Sequence, residues 1–227
     1  MSAAASPIVT DALEQMVEHQ VRAWDVLDAR VLATLRAVRR ERFVPAGQEF
    51  LAYADTVVPL PCEQQMLRPS VVGRLLQALE LSGSERVLEI GAGSGYVTAC
   101  LAASASQVKS LELHAQLADL ARSNLAAAGA RNAEVITADA MQDGAQGAAA
   151  GPRFHAIAVT GSLPQYDDRF QRQLEVGGRL FVIVGDEPVM EARLVRRTAE
   201  DGWVTESLFE TVVAPLENAR RPSGFSF

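Results

Sequence analysis

An α/β fold with a mainly parallel, doubly wound sheet is predicted by three features of this 227-residue chain. Short apolar runs at 86–90, 108–112, 134–138, 154–160 and 179–184 alternate with helical stretches at 95–104, 114–128 and 167–175. Strands interleaved in this way with helices belong to parallel sheets covered on both faces. The first run leads straight into Gly91-Ala92-Gly93-Ser94-Gly95-Tyr96, a strand-to-helix turn with glycine at every second position. Beyond Gly185 the pattern becomes Leu194-Val195, Val204, Leu208-Phe209 and Val212-Val213 around Glu200-Asp201-Gly202. That arrangement predicts C-terminal antiparallel strands.

Ahead of the alternating region, residues 1–10 read as a disordered tail and 11–69 as N-terminal helices followed by a substrate and cofactor loop. Asp11 caps the first helix, with Glu14 completing a capping box, and Leu13, Met16, Val17, Val21 and Trp24 fall on one face. Asp28 caps the second, which buries Val31, Leu32, Leu35 and Val38 and stops near Phe43-Val44-Pro45, because a residue before proline is pushed out of α geometry. Residues 47–69 lose periodicity and carry Pro59, Pro61 and Pro69, and an ordered loop of that length is usually functional. Ser70 caps a third helix with Val71, Val72, Leu75, Leu76 and Leu79 inward, closed by Ser82-Gly83-Ser84. This helix opens the core, 70–216, and 217–227 read as a C-terminal tail. The Gly- and Ala-rich stretch 142–152 fits either a short helix or a loop.

A net charge of −7, from 21 basic and 28 acidic side chains, argues against nucleic acid as a partner, since phosphate neutralisation needs a basic surface. Arg36, Arg39, Arg40 and Arg42 form a local basic cluster that reads first as a solvated helix end. Cys62 and Cys100 read as reduced thiols, and neither they nor His19, His114 and His155 have metal-ligand spacing, so no metal is expected. No apolar run reaches a bilayer span and the first residues lack a secretory pattern, so a cytoplasmic location without membrane contact is expected.

The glycine turn indicates the cofactor. Gly91, Gly93 and Gly95 strip the Cβ atoms from one edge, so backbone can lie against a ligand and adopt positive φ. A dinucleotide fingerprint needs its third glycine one place later, where Tyr96 stands. S-adenosyl-L-methionine carries no pyrophosphate and makes no such demand. Glu112, after the second strand, is placed to accept both ribose hydroxyls, and Asp139 in Ala138-Asp139-Ala140 to accept from an adenine amino group. Gly91, Glu112, Asp139 and Thr160 all fall at the carboxyl ends of strands, where open α/β sheets bind ligands. Thr160 fits the methionine side of such a ligand and, equally, a turn hydroxyl.

Met16-Val17-Glu18-His19-Gln20-Val21-Arg22, Arg39-Arg40-Glu41-Arg42-Phe43-Val44-Pro45, Ala52-Tyr53-Ala54-Asp55, the run Val87 to Tyr96, Leu174-Glu175-Val176-Gly177-Gly178-Arg179-Leu180 and Val213-Ala214-Pro215-Leu216 together resemble protein L-isoaspartyl O-methyltransferases, roughly over residues 13–216. The resemblance implies a Rossmann-like S-adenosylmethionine-dependent methyltransferase with S-adenosyl-L-homocysteine as product. It also implies a cytosolic enzyme, commonly monomeric, acting on carboxylates of damaged aspartyl residues in proteins. The cofactor residues it implies are Glu89, Gly91, Ala92, Gly93, Ser94, Gly95, Tyr96, Glu112, Leu113, Asp139, Ala140 and Thr160, with Gln64 and Met66 from the loop.

One departure concerns the chemistry. Where the family carries Gly-Gln-Thr-Ile-Ser-x-Pro, this chain has Glu63-Gln64-Gln65-Met66-Leu67-Arg68-Pro69, so Leu67 stands at the serine position. Leucine cannot hydrogen-bond a carboxylate. Two outcomes are expected: Arg68 turns in to pair with the substrate carboxylate, or the pocket takes another acceptor, small molecules included. A cofactor-binding paralogue without turnover is the competing reading. Arg68 reads otherwise as a surface side chain, and Asp55 either orients substrate or caps a turn.

Overall fold

The computed structural model describes residues 7–142 and 153–221. Helix α1 (Pro7–Gln15) runs on through a π-helical turn, Met16–Val21, and a 3₁₀ turn, Arg22–Trp24. Asp11 therefore sits within the helix and caps nothing, and the helix begins inside the expected 1–10 tail. The expected inner face holds for Leu13, Met16, Val17 and Val21, which are buried, while Trp24 is half-buried. Asp28 caps α2 (Ala29–Ala37) as expected, its carboxylate accepting from Arg30 N. The helix ends well before Pro45, because Val38 and Arg39 turn extended and the chain re-enters a single 3₁₀ turn at Arg40–Arg42. That turn sends Arg40 inward. Of the four arginines expected on a solvated helix end, only Arg42 is exposed.

A two-stranded hairpin, β1 (Val58–Pro59) and β2 (Gln65–Met66), organises the proline-rich loop. Its tight turn places Cys62 and Glu63 at positive φ. Helix α3 (Pro69–Leu79) starts with proline at its first position, where the missing N–H costs nothing, so Ser70 lies inside the helix and does not cap it. It ends at Glu80, in left-handed geometry, before the expected Ser82-Gly83-Ser84 stop.

The core then follows as β3 (Arg86–Ile90), α4 (Tyr96–Ala102), β4 (Gln107–Glu112), α5 (Ala115–Ala128), β5 (Ala133–Thr137), β6 (Phe154–Leu163), β7 (Leu174–Asp186), β8 (Val189–Ala199) and β9 (Gly202–Thr211). Strand order is β5-β4-β3-β6-β7-β8-β9, parallel from β5 to β7 and antiparallel through β8 and β9. The chain reverses its direction of travel across the sheet between β3 and β6. Their carboxyl ends, Ile90 and Thr160 onward, form the switch-point crevice.

Alternation along the strands separates two apolar layers. Val87, Val108, Ala156 and Phe181 face the helices, and Leu88, Ile157, Leu180 and Val182 face the other way. Helix 167–175 is not formed. Leu174, fully buried, is recruited into β7 opposite Phe154, which leaves too short a span to repay helix nucleation. Asp168–Arg172 pairing and the 3₁₀ turn Gln171–Gln173 are what remains. The expected element at 142–152 lies almost wholly outside the described residues.

Candidate active site

The glycine turn takes the geometry its composition allows: φ is +94° at Gly91, +54° at Gly93 and +83° at Gly95. A Cβ on Gly95 would lie 3.2 Å from the Ala121 backbone of α5, and one on Gly91 would lie 2.5 Å from Thr160 Oγ1. Glycine here serves close packing of the turn against its neighbours as well as positive φ. Thr160 braces the turn from β6, its hydroxyl donating to Ile90 O (2.8 Å) and Gly91 O (2.7 Å).

Glu112 closes the other side. It is 5% exposed, with Oε2 accepting from Gly93 N at 2.8 Å and Oε1 from His114 N at 3.1 Å. Each carboxylate oxygen accepts two hydrogen bonds, so lone pairs remain for a ligand diol. Asp139, at the end of β5, accepts from Met141 N and from Asn218 Nδ2, both at 2.8 Å.

These groups wall one cavity at the switch point. Gln64, Leu67, Gly91, Gly93, Glu112, Leu113, Asp139, Ala140 and Thr160 line it. A smaller cavity shares Gln65, Leu67, Gly91, Gly93 and Thr160 with it and continues past Met66, Ala92, Ser94 and Tyr96 to Arg40. The two cavities adjoin, with Leu67 and the glycine turn lining both.

Four expected site residues have other partners. Glu89 is fully buried beneath the turn and accepts from the Thr98 hydroxyl; burial pushes its carboxyl up to about 7. It lines neither cavity. Gly95 is likewise committed to packing on α5. Arg68 turns away, with Nη2 donating to Thr211 Oγ1 at 3.1 Å and its guanidinium 5.9 Å from the Trp24 ring. Asp55 accepts from Ser70 N and Ser70 Oγ, both at 2.9 Å, and so caps α3 from outside the helix.

The C-terminal segment contributes unexpected walls. Ser162 N donates to Ala214 O (3.0 Å) and Leu216 N to Ser162 O (2.9 Å), pinning residues 213–216 on the end of β6. Glu217 then accepts from Gln64 Nε2 at 2.8 Å and lies 2.6 Å from His114 Nε2, and Asn218 reaches Asp139. The expected tail at 217 is therefore a strap across the cleft, at least through Asn218. Only the Val213-Ala214-Pro215-Leu216 motif pointed toward it in the sequence.

A parallel sheet with a glycine turn at its switch point, and acids at the ends of the next two strands, defines a Rossmann-like methyltransferase fold. The chain belongs to the protein-L-isoaspartate(D-aspartate) O-methyltransferase family, whose pattern matches residues 11–221. It is 40% identical over 205 residues to a protein-L-isoaspartate O-methyltransferase of Rhodopseudomonas palustris, covering 90% of this chain and 92% of that one. Its counterpart in Koribacter versatilis is 38% identical over 199 residues, covering 86% and 88%. Among solved structures, a Plasmodium falciparum chain in complex with S-adenosyl-L-homocysteine superposes with a TM-score of 0.75 at 19% identity, over 92% of this chain and 98% of that one.

Proposed function

We propose that this chain is an S-adenosylmethionine-dependent carboxyl methyltransferase acting on isoaspartyl residues of damaged proteins. The observation that carries the proposal is the pair of adjoining cavities at the switch point. One presents Glu112 and Asp139 beside the glycine turn, suited to an adenosine, and the other is lined by Leu67 and by a buried cation, Arg40.

Bound S-adenosylmethionine supplies a sulfonium methyl group, which an acceptor carboxylate oxygen takes up as an ester while S-adenosylhomocysteine leaves. A carboxylate is already ionised near neutral pH, its reference pKa being about 3.9, so the site needs no general base. What the protein supplies is alignment and exclusion of water, and alignment alone is worth about 7–11 kcal/mol at best. In this site Glu112 would hold the ribose, Thr160 fixes the turn, and Gln64 of the β1–β2 loop pairs with Glu217 across the cleft.

A peptide with one isoaspartyl residue, incubated with methyl-labelled cofactor, should yield a base-labile methyl ester. Cofactor binding with no ester formed on that peptide would set the isoaspartyl assignment aside. A cytoplasmic, monomeric enzyme belongs to the same proposal; among the described residues no helix is long and apolar enough to cross a membrane.

A further inference from the structure

The smaller cavity is lined by a charge that the protein leaves without a counter-ion. Arg40 lines it together with Leu60, Met66, Leu67, Ser94 and Tyr96. The side chain is 0% exposed. Its Nη2 donates to Leu67 O at 2.8 Å, and its Cζ lies 4.8 Å from the centroid of the Tyr96 ring. Nε and Nη1 are buried with no hydrogen-bond partner. Among the described residues no carboxylate lies within ion-pair distance; Asp55, whose charge favours that of Arg40, is engaged with the Ser70 amide and hydroxyl.

A guanidinium does not escape burial by losing its proton. Burial pulls its pKa down from the ordinary arginine value, the mark of an uncompensated charge. Leaving such a cation without a counter-ion is strongly unfavourable, and one carbonyl, one ring face and the polarity of the neighbouring Tyr96 hydroxyl offset it only in part. A ligand anion with two oxygens would repay the rest.

We infer that Arg40 is a carboxylate receptor, its free N–H groups binding a carboxylate that enters the smaller cavity beside Leu67. The inference rests on the methyltransferase reading, which offers two carboxylates of the same chemistry: that of the isoaspartyl acceptor and that at the amino-acid end of the cofactor. Arg40 thereby takes the role that the sequence offered to Arg68, and holds the Leu67 carbonyl at the same time. It is a binding residue and moves no proton.

The test pairs two nucleosides with an acceptor peptide. Arg40→Met keeps the side chain's reach and removes its charge and donors. S-adenosylhomocysteine and 5′-methylthioadenosine, which lacks the amino-acid end, are titrated calorimetrically into wild type and variant, and KM is measured for an isoaspartyl peptide. If Arg40 binds the cofactor carboxylate, S-adenosylhomocysteine loses affinity by about 30-fold or more and methylthioadenosine binds unchanged. If it binds the acceptor, KM rises by a similar factor of about 30 and both nucleosides bind as before.

Equal losses for the two nucleosides, or no loss in any of the three measurements, overturn the inference. Should Arg40→Met fail to fold, Arg40→Lys is titrated instead. Its compact ammonium cannot reproduce the guanidinium geometry, so about threefold or more should be lost from the same measurement. A wild type that binds both nucleosides but esterifies no carboxylate removes the isoaspartyl reading and leaves Arg40 to be decided by the nucleoside pair. A wild type that binds neither removes the methyltransferase reading, and the receptor with it.

Discussion

Leu67 lines both cavities, 6% exposed, at the position where the resemblance implies a serine, and its carbonyl is held by Arg40. Its backbone role survives any side chain. Leu67→Ser should cost about 2–5 kcal/mol of stability, because a buried core side chain is lost, and in the protein that remains folded should add one hydrogen bond to the ionised acceptor, worth about 1.5 kcal/mol, or roughly tenfold in kcat/KM on an isoaspartyl peptide. An unchanged kcat/KM would mean that the acceptor carboxylate lies out of reach of this side chain. Glu89 makes stability depend on pH. Its folded pKa of about 7 lies above the reference value of 4.5, so the folded state holds a proton that the unfolded state has released. The protein thus loses stability as pH rises from about 4.5 to 7, and the loss is complete above that window. Glu89→Gln removes the titration, so its melting temperature should gain on wild type between pH 5 and pH 8. A constant difference across that range would show that Glu89 ionises normally.

At the scale of elements, α3 connects the loop to the core. Asp55 fastens its first turn through Ser70, which is fully buried, so Asp55→Ala leaves a buried amide and hydroxyl unpaired at a cost of about 1–3 kcal/mol. Denaturant unfolding should show that loss while affinity for S-adenosylhomocysteine stays within twofold or so, since a cap acts on the helix end and not on the ligand. A selective loss of affinity would restore Asp55 to the site. The same helix shows which features were legible in the sequence. Its apolar spacing was plain, because Val71, Val72, Leu75, Leu76 and Leu79 repeat at a helical interval. Its cap was not, because the capping residue lies 15 positions upstream. The parallel strands, the glycine turn and the acids after β4 and β5 were readable for the same local reason. Helix 167–175 misled because Leu174 fits a helical face and a strand equally well, and only its pairing with Phe154 decides. Arg40 and Glu217 were illegible as site residues: their burial and their partners depend on segments far away in the sequence.

Across the whole molecule, the N-terminal helices are bound to the core rather than appended to it. Gln77 of α3 accepts from Leu27 N and Asp28 N, at 2.7 and 3.0 Å, and donates to Asp25 O at 2.8 Å. Trp24 packs edge-on against Phe209 of β9 at 6.0 Å, and Phe209 in turn lies 6.3 Å from Phe181 of β7. The contact is tightest at Gly73, where a Cβ would lie 2.6 Å from Val21 Cγ1 and 3.1 Å from Val26 Cγ2, both valines being fully buried. Gly73→Ala gains about 1 kcal/mol of helix propensity and loses about 1–3 kcal/mol to overpacking. The valines have nowhere to retreat, so the balance should be destabilising. The two tryptophans lie in different layers, Trp24 in the N-terminal helices and Trp203 on β9, so single-tryptophan variants report each layer separately. If the layers form one cooperative unit, both probes should shift to the same lower denaturant midpoint in Gly73→Ala. S-adenosylhomocysteine at about 100 times its Kd should then raise both midpoints together, by an amount equivalent to about 2.7 kcal/mol. A Trp24 transition preceding that of Trp203 would show that the helices carrying Arg40 come away from the sheet on their own, and that the cleft is closed only while they stay docked.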